Sequence, residues 1–188
     1  MLKKFSNHLK DVKFPSATDH LIYWFIICAG VIADLWSKTA VFNWLDYENT
    51  PNRIHHVIEG LFTIVMRVNQ GAAWSIASGQ RVLLVSVSIL ALFVVVGIFI
   101  FGNLRHKLMQ IALAMFTAGI IGNLYDRVFN DGGVRDFLDF YVGDHHWPAF
   151  NIADSMLCVA VGLLIIFNIA HSTQEQTSNS GDTTEENK

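Results

Sequence analysis

Val82-Leu83-Leu84-Val85-Ser86-Val87-Ser88-Ile89-Leu90-Ala91-Leu92-Phe93-Val94-Val95-Val96-Gly97-Ile98-Phe99-Ile100-Phe101 contains no charged residue. A helix needs about 20 mostly apolar residues to cross a hydrocarbon layer roughly 30 Å thick, and this run satisfies that alone. Its only polar side chains, Ser86 and Ser88, can bond back to the helix backbone. Working outward, three further segments are long and apolar enough to span: residues 21–45, 108–128 and 150–170. The whole chain agrees, with 188 residues, 52% hydrophobic, only 15% charged and a mean hydropathy of +0.38. That is too apolar and charge-poor for an ordinary soluble domain. The predicted fold class is an all-α integral membrane protein of four transmembrane helices with a small extracytoplasmic β-sheet element. A net charge of −3, with no long run of Lys and Arg, argues against nucleic acid as a partner.

The first span follows Lys3, Lys4, Lys10 and Lys13, an arrangement that a secretory signal shares. It is too long for a signal core and lacks a small-x-small cleavage site, so a retained anchor is expected. Ile26-Ile27-Cys28 likewise puts bulky residues where a lipid-modified cysteine needs a small one. Cys28 and Cys158 both fall in apolar runs, the setting of inert packing thiols. The basic arm, residues 1–20, and the Arg105-His106-Lys107 turn should face the cytoplasm, which places both termini inside. Two segments are then outside, about 46–80 and about 129–149. In the first, Phe62, Ile64, Met66 and Val68 alternate with Thr63, Val65, Arg67 and Asn69, the period of a strand. The second is read as an outer loop. Residues 171–188 lack apolar residues to bury and are expected to be a disordered cytoplasmic tail.

Ionisable residues in spanning segments cost several kcal/mol unless paired or hydrated, so each is a functional candidate. At about 1.5 Å per residue, Asp34 lies roughly 20 Å along the first helix, in the outer half of the bilayer. Asp126 ends the third helix, Asp154 begins the fourth, and Asp136 lies in the segment joining them. Four carboxylates from separate parts of the chain thus share a depth. Gly119, Gly122, Asn123 and Asp126 share a helical face, which Ala114 and Ala118 extend as a small-residue stripe that admits a close neighbour. Asn151, Asp154, Ser155 and Cys158 share another face after Pro148, which suits a helix start. Asp34 and Lys38, four apart, are spaced to pair. Two carboxylates around one water can share acid and base work, because both do not ionise easily together. Asn123 and Asn151 are neutral groups suited to orienting such a pair. Spacing leaves open which two aspartates form it.

Five motifs, in order, resemble those of the lipoprotein signal peptidases, or type II signal peptidases, which are bacterial inner-membrane aspartic proteases. They are Asp34-Leu35-Trp36-Ser37-Lys38, Asn69-Gln70-Gly71-Ala72-Ala73-Trp74-Ser75, Gly122-Asn123-Leu124-Tyr125-Asp126-Arg127, Val134-Arg135-Asp136-Phe137 and Pro148-Ala149-Phe150-Asn151-Ile152-Ala153-Asp154-Ser155. The resemblance covers residues 21–170. It implies that Asp136 and Asp154 form a catalytic dyad that activates water to cut a signal peptide just before its diacylglyceryl-modified cysteine. It also implies supporting or substrate-binding places for Asp34, Lys38, Asn69, Gly71, Asn123, Asp126, Arg127, Asn151 and Ala153. The implied setting is the bacterial inner membrane, with the site at the outer face under a β cradle. The implied partners are prolipoprotein signal peptides and membrane lipid, and a monomer without cofactor is expected. Two departures stand out: Ala118 replaces the first of two usual glycines, and residues 129–133 run about one residue longer than is usual. The second makes Asp139 a rival to Asp136.

Plainer readings sit beside these. Asp136 without its motif is a solvated loop acid, and Asp154 suits a helix N-terminus by charge alone. Asp126 and Arg127 read equally as a structural ion pair. Asp144-His145-His146 lacks the i, i+4 spacing that aims two imidazoles at one ion, so no metal is predicted. Ser75 and Ser155 have no recognisable activating base. Trp36, Trp74 and Trp147 fit an interfacial aromatic belt. An ion-coupled transporter is a second reading, but transporters place such acids near the midplane between repeated halves, and this chain shows neither. A non-catalytic assembly subunit is the third.

Overall fold

The computed structural model describes residues 14–47, 53–104 and 106–182. The lysines of the N-terminal arm, Arg105 and residues 183–188 lie outside that set. Four helices carry the chain: α1 (Ala17–Tyr47), α2 (Arg81–Phe101), α3 (Lys107–Phe129) and α4 (Ile152–Asp182). Each contains a stretch long and apolar enough to cross a membrane. Four strands, β1 (Ile54–Ile58), β2 (Phe62–Asn69), β3 (Val134–Val142) and β4 (His145–His146), form an antiparallel sheet in chain order.

Helix α3 is the centre of the bundle, and its composition explains why. Ala112, Ala114, Ala118, Gly119 and Gly122 are all buried, so neighbouring helices approach its backbone. A Cβ at Gly119 would stand 2.7 Å from the Ala153 carbonyl oxygen of α4. On α1, a Cβ at Gly30 would stand 3.0 Å from that of Ala118. The methyl found where a glycine is usual therefore meets a glycine on the facing helix, which keeps the contact close. Tyr23 stacks on Phe99 at 3.7 Å between ring centroids, and its hydroxyl shares a 2.8 Å hydrogen bond with Thr117 Oγ1. Tyr23 and Phe99 join Ile27, Val95, Leu113 and Ala114 in the apolar core. Helix α2 exposes Val82, Leu83, Leu90, Phe93 and Val94, as a lipid-facing helix does.

One expectation is corrected. The segment 129–149 is not a loop: β3 occupies much of it and pairs with β2, with Arg67 opposite Asp136 and Thr63 opposite Asp139. The sequence carries no clear strand period there because burial does not alternate, Asp136 and Phe137 both being buried beside a register shift in the β2 pairing, and because Asp136 and Asp139 are buried carboxylates. Helix α4 runs on to Asp182, beyond the apolar stretch that ends at Ala170. Once a helix is nucleated, adding a residue fixes few dihedrals for each new hydrogen bond, so a polar sequence can prolong it. The β2 alternation is as read, with Thr63 and Val65 on the buried side.

Candidate active site

The start of α4 is built as a reciprocal cap. Asn151 Oδ1 accepts from the Asp154 backbone N–H at 3.0 Å, while Asp154 Oδ2 accepts from the Asn151 N–H at 3.3 Å. This is the capping-box arrangement with Asn and Asp in place of Ser and Glu. A third orphan donor, Ala153 N–H, is satisfied from another helix by Asp34 Oδ1 at 2.9 Å. The place of Ala153 in its motif thus follows from its backbone, and from a side chain small enough to lie against Gly122. Phe150 exchanges hydrogen bonds with Leu138 of β3, its N–H donating at 3.0 Å and its carbonyl accepting at 2.9 Å. That bridge fixes Asn151 beside Asp136.

Asn151 is the hub. Its Nδ2 lies within 2.7 Å of Asp136 Oδ1, 3.2 Å of Asn123 Oδ1 and 3.2 Å of the Arg135 carbonyl oxygen. Asn123 in turn donates Nδ2–H to Asp154 Oδ1 at 2.8 Å. The two asparagines therefore bind both Asp136 and Asp154. Behind them, Lys38 Nζ sits 2.7 Å from Asp34 Oδ2, 3.3 Å from Asp126 Oδ2 and 3.3 Å from Asn123 Oδ1. Asp34, Lys38 and Asp126 are each 0% exposed. All four aspartates singled out by depth belong to this one network.

Asp126 and Arg127, which read equally as a structural ion pair, form no salt bridge with each other, because adjacent helical residues point about 100° apart. Asp126 pairs instead with Arg135, through Nη2 at 2.7 Å, Nε at 3.1 Å and the backbone N–H at 2.9 Å. Arg127 reaches across to the loop after β2, donating Nη2–H to the Gly71 carbonyl at 2.9 Å. Arg135 was the important omission from the sequence reading. A buried acid at a helix end needs a cation, and Arg135 is the basic neighbour of Asp136 in the quoted motif.

Asn69 Oδ1 accepts from the Gly71 N–H at 2.9 Å, and its Nδ2 donates to the Ala72 carbonyl at 3.3 Å. A Cβ on Gly71 would stand 2.6 Å from the Ser75 carbonyl carbon, so this turn admits only glycine without shifting. Trp74 follows with φ 52°, a left-handed conformation that costs about 1–3 kcal/mol in a bulky residue and marks a constrained turn. Its exposed indole packs edge-on against Trp147 at 6.1 Å. These two tryptophans line the site mouth; Trp36, by contrast, is simply exposed on α1.

Asp136 and Asp154 line one cavity of about 490 Å³, together with Asn69, Asn123, Arg127, Leu157 and Cys158. Burial and the neighbouring Asp154 carboxylate push the Asp136 carboxyl up from its ordinary 3.8 to about 7, against the opposing pull of the Asn151 and Asn69 side chains. Asp139 does not join this cluster: it accepts from Thr63 Oγ1 at 3.1 Å and pairs with His146 Nδ1 at 3.0 Å. His146 is thereby engaged with a carboxylate, and Ser155 Oγ donates to the Asn151 carbonyl.

Four apolar helices, a sheet over one end and two carboxyls in a shared cavity define a multi-pass membrane protein with a buried acid site. The family model described as Signal peptidase (SPase) II matches residues 26–170. The "Lipoprotein signal peptidase" of Sulfurihydrogenibium sp. (strain YO3AOP1) is 35% identical over 145 residues, covering 74% of this chain and 85% of that protein. That of Rhodopirellula baltica is 35% identical over 165 residues, covering 81% and 73%. Two solved structures share the fold, each described as a bacterial membrane enzyme. One has a TM-score of 0.70 at 32% identity, covering 87% of this chain and 94% of its own. The other has 0.63 at 34%, covering 82% and 94%. The chain belongs to the lipoprotein signal peptidase (signal peptidase II) family of membrane proteases.

Proposed function

We propose that this chain is an aspartic endopeptidase that removes the signal peptide from diacylglyceryl-modified prolipoproteins, cutting on the N-terminal side of the lipidated cysteine. The observation that carries this reading is the pairing of Asp136 and Asp154 through Asn151 and Asn123 at one cavity, with Asp136 holding its proton up to about pH 7. A protonated carboxyl beside a second carboxyl is the arrangement that lets one water be deprotonated while the scissile carbonyl oxygen is protonated. Asp136 takes the part of acid, and Asp154 that of base. The amide nitrogen then needs a proton to leave, and the water's proton, passed through Asp154, supplies it.

The other residues hold this geometry. Asn123 and Asn151 orient the dyad, while Lys38, Asp34, Asp126 and Arg135 lock α1, α3, β3 and α4 together beneath it. Gly71 and Arg127 fix the loop that carries Asn69, and Asn69 is suited to the substrate backbone. The apolar part of the cavity lining, Leu157 and Phe150 among it, receives the signal peptide and its lipid. By the charge rule the sheet and cavity face outward from the bacterial cytoplasmic membrane, with both chain ends inside.

The test is purified protein in detergent with a diacylglyceryl-modified precursor and its unmodified counterpart, the products located by mass. Cleavage directly before the modified cysteine, absent from the unmodified precursor and unaffected by a chelator, is expected. Equal cleavage of both precursors, or loss of activity with the chelator, would refute the reading.

A further inference from the structure

A second cavity, of about 420 Å³, adjoins the first and has a different character. The two share Asn69, Trp74, Asp136 and Trp147, so they meet at the proposed acid and beneath the tryptophan pair. The first cavity continues between the helices, along Leu157 and Cys158. The second continues over the sheet, where Arg67, Asp139 and His146 line it. A chain passing Asp136 from the membrane-embedded side therefore leaves across a polar floor.

The charges on that floor are unequally satisfied. Asp139 is nearly buried, and its carboxylate is engaged by Thr63 and His146. Arg67 is exposed and, among the described residues, makes no ion pair. It is also the β2 residue paired with Asp136 across the sheet. Backbones of adjacent strands lie about 5 Å apart, so the guanidinium starts one strand away from the proposed reacting centre. A long side chain can extend from there to a residue just beyond the cut.

We propose that this second cavity is the subsite for the polypeptide after the cysteine, and that Arg67 makes it favour an acidic side chain there over a basic one. The inference rests on the endopeptidase reading and deepens it. Because Arg67 is exposed, the preference is modest, about two- to five-fold, and it shrinks as salt screens it.

The experiment uses the full chain in detergent with three diacylglyceryl-modified peptides that differ only in the residue after the cysteine: Asp, Gln or Lys. The unmodified enzyme should cut the Asp peptide with a kcat/KM two- to five-fold above the Lys peptide at low salt. Arg67→Lys should keep that order, Arg67→Gln should level it and Arg67→Glu should reverse it. Each comparison is a ratio within one variant, so loss of folded protein cancels. Cleavage of all three peptides with the same order in the unmodified enzyme and Arg67→Glu overturns the subsite and leaves the endopeptidase reading standing. Failure of the unmodified enzyme to cut any peptide overturns both.

Discussion

Lys38→Met is the substitution whose cost the geometry specifies best. The ammonium has no exposure and touches three acceptors, on Asp34, Asp126 and Asn123. Methionine matches the length of the stem but supplies no donor. Asp126 would retain Arg135, whereas Asp34 would keep only the Ala153 N–H. The variant is thus left with one poorly compensated buried carboxylate, and breaking a buried pair in this way costs about 3–5 kcal/mol. Adding Asp34→Asn removes the stranded charge while leaving an oxygen for Ala153, so the double variant should regain at least about 2 kcal/mol over the single one. Denaturant unfolding in detergent measures both, and a double-mutant cycle isolates the coupling. A cost under about 1 kcal/mol for Lys38→Met, or simple additivity in the cycle, would show that the network does not hold the helices together as argued.

Other substitutions probe the same structure from different sides. Because folding raises the Asp136 pKa from 3.8 to about 7, the folded protein binds more protons than the unfolded chain between those values, and stability falls as pH rises through that window. Asp136→Asn should therefore be more stable than the parent at pH 8, by up to about 4 kcal/mol, and nearly equal to it at pH 4; a stability difference that is flat with pH would contradict this. By the same shift, cleavage should decline as pH rises above about 7, and a rate still climbing at pH 9 would count against Asp136 as the acid. A Cβ at Gly122 would run into the Asp34 carboxylate and lie 3.1 Å from the Ala153 Cβ, so Gly122→Ala should cost about 1–3 kcal/mol in unfolding. Gly71→Ala, which crowds the Ser75 backbone, should raise KM by moving the Asn69 loop, with unfolding changed far less than by Gly122→Ala.

Much of the bundle was legible because hydrocarbon imposes one rule on every spanning segment, and the four runs matched the four helices to within a few residues at most ends. The Asp34–Lys38 pair was legible for a similar reason, since i, i+4 spacing on a helix brings side chains together whatever lies around them. Strand β3 was not: the period-2 signal assumes that buried positions alternate and are apolar, whereas Asp136 and Phe137 are buried side by side at a register shift against β2, and two of the four buried positions, Asp136 and Asp139, carry carboxylates. Arg135 shows the other limit. Its partner Asp126 lies on a different element, and no spacing rule connects a helix end to a strand start folded back on it. The asparagine hub was visible as residue type only; that Asn151 both caps α4 and holds Asp136 required the Phe150–Leu138 bridge that brings β3 to the helix start.

The most direct test of the central claim is single-turnover cleavage of a diacylglyceryl-modified precursor by Asp136→Asn and Asp154→Asn, each first shown to be folded by its unfolding transition in detergent. Either change removes one member of the water-activating pair while keeping its shape, so both variants should lose at least about 1,000-fold in rate. Near-parental cleavage by either folded variant would show that Asp136 and Asp154 are not the catalytic dyad.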